Sequence, residues 1–133
     1  MTVANGNAAE YFLARHRRAE QCERIAFTDP WRRLSYAELD AAAGRFAAGL
    51  RAAGIAREQR IALLMLDTID FPIAFWGALC AGVVPVPVNT LLPPDAVGYI
   101  LADSRAAALV VSAPLVAPLR AVLDRLGELR RII

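Results

Sequence analysis

Phe71–Val88 is a stretch of eighteen consecutive residues without a formal charge, and its periodicity changes halfway along. In its first half, apolar residues recur at helical spacing, at Phe71, Ala74, Phe75, Ala78 and Leu79. Its second half alternates valine with Pro85 and Pro87, which requires an extended backbone. Gly82 lies between the halves, where a helix can end in the left-handed conformation. The run predicts a buried helix and then a buried strand, because a membrane helix would not place two prolines in its last turn.

A second helix is specified at its start, along its face and at its end. Ser35 can cap it, and Glu38 stands at the third helical position, which completes a capping box. Gly54 is placed to end it as a left-handed cap, with Ile55 positioned for the hydrophobic contact that accompanies such caps. Between these ends, one apolar stripe recurs at steps of three and four: Tyr36, Leu39, Ala43, Phe46, Leu50 and Ala53.

Shorter patterns supply the remaining elements. They predict a helix capped by Asn7 and running to about Arg18, with Glu10 in a capping box, and a hairpin of strands Ile25–Phe27 and Trp31–Leu34 around Asp29-Pro30. They also predict strands Ile61–Leu66 and Ala107–Val111, helices from Pro93 and over Pro114–Leu126, and a strand that opens at Arg130–Ile133. The fold class is therefore α/β: an N-terminal hairpin followed by βαβ units that form a mostly parallel sheet flanked by helices. Because the last strand has just opened at Ile133, we expect residues 1–133 to be part of a larger domain.

The amino-acid composition limits which partners and which kinds of catalysis are expected of this chain. Of the 133 residues, 57% are hydrophobic, which fills the core of one domain and leaves apolar surface to be covered by another chain segment or by self-association. The net charge of +2 gives no reason to expect a nucleic-acid partner. All 15 basic residues are arginine, so no lysine can form a Schiff base or clamp a phosphate. Cys22 and Cys80 match no metal spacing and, without a recognisable secretory segment, are expected to be thiols in the cytoplasm.

Two pairs of glycines resemble phosphate-binding loops in spacing alone. Gly44 and Gly49, like Gly77 and Gly82, are separated by four residues. A working loop continues with lysine and then serine or threonine, but leucine and arginine, or two valines, follow here. Both pairs also fall inside or at the end of predicted helices. We interpret them as small residues that permit close helix packing.

Candidate catalytic side chains lack partners in the sequence. His16 is the single histidine and is flanked by arginines, which favours a helix C-terminus over a general base. Without a histidine partner, Ser35, Ser104 and Ser112 are not expected to be nucleophiles.

Asp67 and Asp70 form a spaced acidic pair after a predicted strand. α/β proteins place ligands at that end of a strand, so a metal or substrate contact is one interpretation. Capping of the following helix explains the same residue types without a ligand, and we favour it.

The residues resemble the N-terminal segment of the adenylate-forming acyl-CoA synthetase superfamily over about Tyr11–Ile133. Leu34–Leu39, reading LSYAEL, is similar to the first recurrent motif of that family, and Leu79–Asn89, reading LCAGVVPVPVN, is similar to the second. Within that superfamily, several shorter features of the chain are similar to benzoate–CoA ligases and related aryl-CoA ligases: Leu64–Asp67, Asp70, Pro72 and Val88–Leu92.

This resemblance implies a two-step reaction. A carboxylate attacks the α-phosphate of ATP with Mg²⁺, giving an acyl-adenylate and pyrophosphate, and the thiol of coenzyme A then displaces AMP. The resemblance also implies that the phosphate loop, the aryl pocket and the catalytic lysine lie beyond Ile133. No catalytic, cofactor-binding or metal residue is therefore assigned to this chain. Some aryl-CoA ligases have an arginine that meets coenzyme A phosphate where this chain has Leu91.

The resemblance further implies that residues 1–133 are the N-terminal part of the large adenylate-forming domain of a cytoplasmic enzyme of aromatic acid degradation. Aromatic carboxylate, ATP and coenzyme A would be partners of the parent enzyme, whereas this chain alone is expected to bind none of them productively. Two alternatives stay open. One is a standalone α/β binding or interaction module, and the other is the N-terminal part of a fatty-acid or medium-chain CoA ligase.

Overall fold

The computed structural model describes residues 6–127, 129 and 131–133. The helices are α1 (Ala8–Ala14), α2 (Ala19–Cys22), α3 (Tyr36–Ala52), α4 (Asp70–Ala81), α5 (Pro94–Asp103) and α6 (Arg120–Leu123). The strands are β1 (Ile25–Thr28), β2 (Arg33–Ser35), β3 (Arg60–Leu64), β4 (Val84–Pro87), β5 (Ala108–Val111) and β6 (Arg131–Ile132).

The strands form two sheets. β1 and β2 pair as an antiparallel hairpin, and the other four strands form a parallel sheet in the order β4-β3-β5-β6. β4 is an edge strand of that sheet, and its register with β3 pairs Ile61 with Pro85 and Leu63 with Pro87. The predicted α/β architecture, a hairpin followed by a parallel sheet with helices, is confirmed.

Helices cover both faces of the parallel sheet, and its two central strands, β3 and β5, are apolar except for Arg60 at the start of β3. Ile61 and Leu63 of β3 pack in one hydrophobic cluster with residues of α3 and α4, including Leu50 and Ala78. The alternate residues of β3 face a second cluster with α5 and the segment before α6, whose buried members include Val97, Leu101 and Leu119. The core around the sheet therefore consists of two layers that share the central strands β3 and β5, and a third, smaller cluster joins α1 to α3.

The start and the end of α3 confirm the sequence prediction. Ser35 Oγ accepts a hydrogen bond from the Glu38 amide at 3.2 Å, and the Glu38 carboxylate accepts one from the Ser35 amide at 2.8 Å. These two bonds form the predicted capping box. At the other end, Gly54 has a φ of +78°, and the Ile55 amide donates to the Leu50 carbonyl. Local sequence information thus determines both ends of this helix.

The four glycines of the two pairs have different structural roles. A Cβ on Gly77 would lie 2.8 Å from Phe46 Cβ, so close packing of α4 against α3 is confirmed there. Gly82 has a φ of +73° and caps α4 as predicted. The packing interpretation is wrong for Gly44 and Gly49, because a Cβ on either would meet no atom within 4 Å.

Several predicted boundaries are wrong. α1 ends at Ala14, before Arg18, and Glu10 pairs with Arg17 at 3.1 Å instead of completing a capping box. The helix predicted over Pro114–Leu126 is replaced by 3₁₀ turns at Ala113–Leu115 and Ala117–Leu119 followed by α6. The physical reason is Pro118, which has no amide to donate and whose ring clashes with a preceding carbonyl.

Smaller differences from the prediction concern the hairpin, the segment before it and the last strand. The return strand of the hairpin begins at Arg33, two positions after the predicted Trp31, and α2 was not predicted. β6 confirms a strand near the end of the sequence, whereas Arg130, its predicted first residue, lies outside the described residues. Among the described residues, no helix has the length and apolar character needed to cross a bilayer.

Candidate functional site

The best candidate site is the edge of the parallel sheet where the strands end. Leu64 at the end of β3 is in register with Val111 of β5, and Leu63 is in register with Pro87 of β4. The segments that follow these strands therefore emerge side by side. Ligands of open α/β sheets bind outside the carboxyl ends of the strands. We call this region the carboxyl edge and define it by the β3–α4 loop (Met65–Ile69), Asn89 and Ser112.

Ser112 connects the end of β5 to the β3–α4 loop. Its hydroxyl oxygen accepts a hydrogen bond from the Leu66 amide at 3.0 Å, and its own amide donates to the Leu64 carbonyl at 3.2 Å. Within the loop, the Thr68 amide donates to the Leu66 carbonyl at 2.8 Å. The hydroxyl of Ser112 therefore serves as an acceptor that anchors the loop.

The carboxylate of Asp29 holds the other end of the loop from the hairpin. Asp29 Oδ2 accepts from the Ile69 amide at 3.0 Å, and Oδ1 accepts from the amides of Trp31 at 2.9 Å and Arg32 at 2.7 Å. Only 3% of the Asp29 side chain is exposed. The hydrogen bond from Ile69, followed by those from Trp31 and Arg32 and by the Arg32 charge, lowers the pKa of Asp29, although burial opposes this shift.

Sequence reasoning placed Asp29 in a turn and missed this longer contact. The turn itself carried a signal, because an aspartate before proline often accepts hydrogen bonds from the amides that follow it. Nothing local indicates that the second carboxylate oxygen reaches Ile69, which is 40 residues away.

Asp67 and Asp70 do not cap α4 as predicted. Ile69 is the N-cap residue, and its own side chain makes no capping hydrogen bond. Asp70 is already the first helical residue, and its carboxylate accepts a hydrogen bond from Arg32 Nη2 at 3.0 Å. Both aspartates are exposed. Within the residues described, no group of three or more histidine, cysteine, aspartate or glutamate side chains could hold a metal ion.

Asn89 shapes the segment after β4. Its side-chain oxygen accepts from the Leu91 amide at 2.9 Å, and its carbonyl accepts from the Leu92 amide at 3.3 Å. This Asx turn leaves the Leu91 side chain 89% exposed. Asn89 therefore has a conformational role in the motif that suggested the family resemblance.

His16 lies two residues beyond the end of α1. Its ring stacks on Tyr36 with centroids 3.8 Å apart, and its Nε2 accepts from Arg15 Nε at 3.3 Å. These contacts pack the ring against α3 and give it no acidic partner among the described residues.

A polar cleft of about 560 Å³ lies between α1, α3 and α4. Arg17 crosses it, with Nη1 3.1 Å from the Glu10 carboxylate and Nε 2.9 Å from the Asp40 carboxylate. Cys80 also lines the cleft, and burial raises the pKa of its thiol. Arg51 also lines the cleft, and its Nη2 donates to the Cys80 carbonyl at 3.1 Å. The raised pKa of Cys80 disfavours the thiolate, which is the nucleophilic form of cysteine.

The fold is thus a layered α/β unit with its candidate site at the carboxyl edge of a parallel sheet. Residues 14–133 match the family described as AMP-binding enzyme, and the chain belongs to that family. The resemblance stated from the sequence is confirmed.

Three comparisons show which members of the family the chain is similar to. The chain is 42% identical to 4-hydroxybenzoate–CoA/benzoate–CoA ligase of Rhodopseudomonas palustris over 133 residues, which cover 100% of the chain and 25% of that protein. It is 41% identical over 98 residues to long-chain-fatty-acid–CoA ligase FadD13 of Mycobacterium tuberculosis, covering 71% of the chain and 20% of that protein. The crystal structure of a benzoate CoA ligase from Burkholderia xenovorans LB400 superposes with a TM-score of 0.85 at 41% identity, covering 91% of the chain and 24% of that structure. The chain therefore spans about a quarter of the length of these two benzoate ligases.

Proposed function

We propose that this chain is the N-terminal part of the large adenylate-forming domain of an ATP-dependent acid–CoA ligase that acts on benzoate or a close aromatic relative. The supporting observation is the 42% identity to a 4-hydroxybenzoate–CoA/benzoate–CoA ligase along the entire chain. The reaction of the parent enzyme would convert carboxylate, ATP and coenzyme A to acyl-CoA, AMP and pyrophosphate through an acyl-adenylate, with Mg²⁺ supporting the first step.

The residues of this chain do not fit a complete site for ATP and Mg²⁺. Gly44, Gly49 and Gly77 lie inside helices and Gly82 ends one, so neither pair forms a loop between a strand and a helix. The chain contains no lysine. The proposal therefore assigns the nucleotide, metal and coenzyme A contacts to the remainder of the parent enzyme, and no catalytic step is derived through them here.

The contribution of this chain is architectural in the proposal. It supplies the covered parallel sheet and the carboxyl edge, with a loop whose backbone is held by side chains of other elements. Exposed apolar side chains, among them Trp31, Leu91 and Tyr99, are surfaces that the rest of the enzyme would cover. The cytoplasmic location and the place in aromatic acid breakdown stay predictions.

One experiment tests the proposal in two parts. The parent enzyme, incubated with ATP, Mg²⁺, coenzyme A and benzoate, should release AMP and form the thioester. The purified 133-residue chain should release no more AMP than a heat-denatured sample. Failure of the parent enzyme with every aromatic acid offered would reject the proposed reaction, and activity of the short chain would reject its architectural role.

A fatty-acid substrate is the second candidate, favoured by the 41% identity to FadD13 over 98 residues. The two candidates separate when kcat/KM of the parent enzyme is compared for benzoate, 4-hydroxybenzoate, octanoate and palmitate. A higher kcat/KM for either aliphatic acid would replace the aromatic assignment.

A further inference from the structure

The β3–α4 loop, Met65–Ile69, is fastened at both ends by side chains from distant parts of the chain. At its beginning, the Leu66 amide donates to Ser112 Oγ, which is 46 residues away. At its end, the Ile69 amide donates to Asp29 Oδ2, which is 40 residues away. A loop with these two bonds is held to β5 on one side and to the hairpin on the other.

The Ile69 amide depends on its acceptor more than the Leu66 amide does, because Leu66 is 39% exposed. Ile69 is 2% exposed, and a buried amide without an acceptor is strongly unfavourable. The first amides of a helix also have no partner inside the helix, and the start of α4 receives no side-chain cap from its own residues. Asp29 therefore satisfies from the hairpin an amide that the local sequence leaves without an acceptor.

A surface ion pair supports the same junction. Arg32 Nη2 lies 3.0 Å from Asp70 Oδ1 and 3.6 Å from Asp29 Oδ2, so it links the hairpin to the first turn of α4. About half of the Arg32 side chain is exposed, and exposed pairs are weak and screened by salt. The hydrogen bonds of Asp29, with its carboxylate almost fully covered, are the principal connection.

We propose that Asp29 and Ser112 are positioning residues that hold the β3–α4 loop in one conformation at the carboxyl edge, and that the hairpin and this loop move as one unit through Asp29. Neither side chain is assigned a contact with substrate. They act through the backbone of Leu66 and Ile69, and so fix where Asp67 and Thr68, between those two amides, stand at the edge. The part of this inference that concerns catalysis rests on the proposed function.

Amide hydrogen exchange in the 133-residue chain tests the positioning directly. Ser112→Ala should accelerate exchange at Leu66 about tenfold, because that amide loses its acceptor. Ser112→Thr keeps a hydroxyl and should restore slow exchange. Ser104→Ala is the matched control, since the Ser104 hydroxyl donates to Leu101 in α5 and not to this loop. Exchange at Leu63 in the central strand should stay unchanged, which separates a local effect from general loss of stability.

Asp29→Asn supplies an independent variant. An amide group has one acceptor oxygen, so it can serve either the Ile69 amide or the two amides of the turn, but not both sets. Exchange should therefore accelerate by at least about tenfold at Ile69 or at Trp31 and Arg32. Asp103→Asn, at the end of α5, is the matched control. Unchanged exchange at all of these amides in both Asp29→Asn and Ser112→Ala would overturn the proposal.

The catalytic part is measured in the parent enzyme with the same variants. Ser112→Ala should lower kcat/KM by about tenfold, because small displacements at a site reduce rates strongly, and Ser112→Thr should recover it. Faster exchange at Leu66 with unchanged kcat/KM would overturn the link to catalysis. A wild-type parent enzyme that forms no thioester would instead reject the proposed function, and the exchange measurements would still decide whether the loop is positioned.

Discussion

Replacing Gly77 with alanine tests how closely α3 and α4 pack. A Cβ at this position would lie 2.8 Å from Cβ and from Cδ1 of Phe46, and 2.9 Å from the carbonyl oxygen of Ala43. Ordinary contacts between carbon atoms begin near 3.5 Å, so the helices would have to separate by about 0.7 Å. The Ala43 oxygen and Phe46 Cβ belong to the rigid part of α3 and cannot rotate away.

Two opposing effects determine the magnitude. Alanine is a better helix former than glycine and would stabilise an isolated helix by about 0.5–1 kcal/mol. Overpacking of a tight contact costs about 1–3 kcal/mol, and here backbone and Cβ atoms have to shift. Overpacking is the larger effect, so we expect Gly77→Ala to lower the free energy of unfolding by about 1–2 kcal/mol.

Urea unfolding followed by circular dichroism measures this change, with Gly44→Ala as the matched control. Gly44 lies in the interior of α3, and a Cβ there would meet no atom within 4 Å. Only the helix effect applies at that position, so the control should gain about 0.5–1 kcal/mol. If Gly77→Ala gained as much as the control, α3 and α4 would not be in the close contact described, and the reasoning would be refuted.

Three further predictions concern the cap, the buried carboxylate and the core. Ser35→Ala removes the capping box of α3 and should cost about 1 kcal/mol in urea unfolding, whereas Ser35→Thr should retain most of it; equal losses would contradict the capping role. The pKa of Asp29 is lower in the folded chain, so its contribution to stability is complete above the unfolded pKa of about 3.9 and is lost as the pH falls through the folded value. Urea midpoints measured from pH 6 to pH 2.5 should therefore fall less steeply in Asp29→Asn than in the wild type, and identical slopes would contradict the sign of this shift. Leu109→Ala empties a fully buried position of β5 and should cost about 2–5 kcal/mol in thermal or urea unfolding, while a loss as small as that of a surface substitution would place Leu109 outside the core.

Predictions from the sequence were most accurate where the interactions that determine the structure join residues close together in the chain. The limits of α3 were predictable because Ser35, Glu38 and Gly54 act within one turn of the helix end they define. The change from α4 to β4 was predictable for the same reason, since Gly82 and the prolines after it exclude a continued helix. The apolar residues near the end of the chain suggested one long helix, but the effect of Pro118 on its backbone was underestimated.

The candidate site was less accessible to sequence reasoning. The family resemblance indicated the reaction class, and the position of Asp67 after a strand indicated the relevant edge of the sheet. The residues that organise this edge, Asp29 and Ser112, act on amides 40 and 46 residues away. Neither hydrophobic periodicity nor a local motif indicates which distant amide a side chain will bind. These contacts form only when the hairpin and β5 pack against the β3–α4 loop.

The prolines of β4 have a consequence for how this sheet can associate. The Val84 amide donates to the carbonyl of Gln59, just before β3, and the Val88 amide donates to the carbonyl of Leu63 in β3. Both valine amides therefore point toward β3. Backbone direction alternates along a strand, which leaves Pro85 and Pro87 at the outward positions. Proline has no amide hydrogen, and this border of the sheet presents carbonyl acceptors without a donor. An additional strand could form only half of a ladder there, so the residues that identify the family also protect this edge from pairing with other chains.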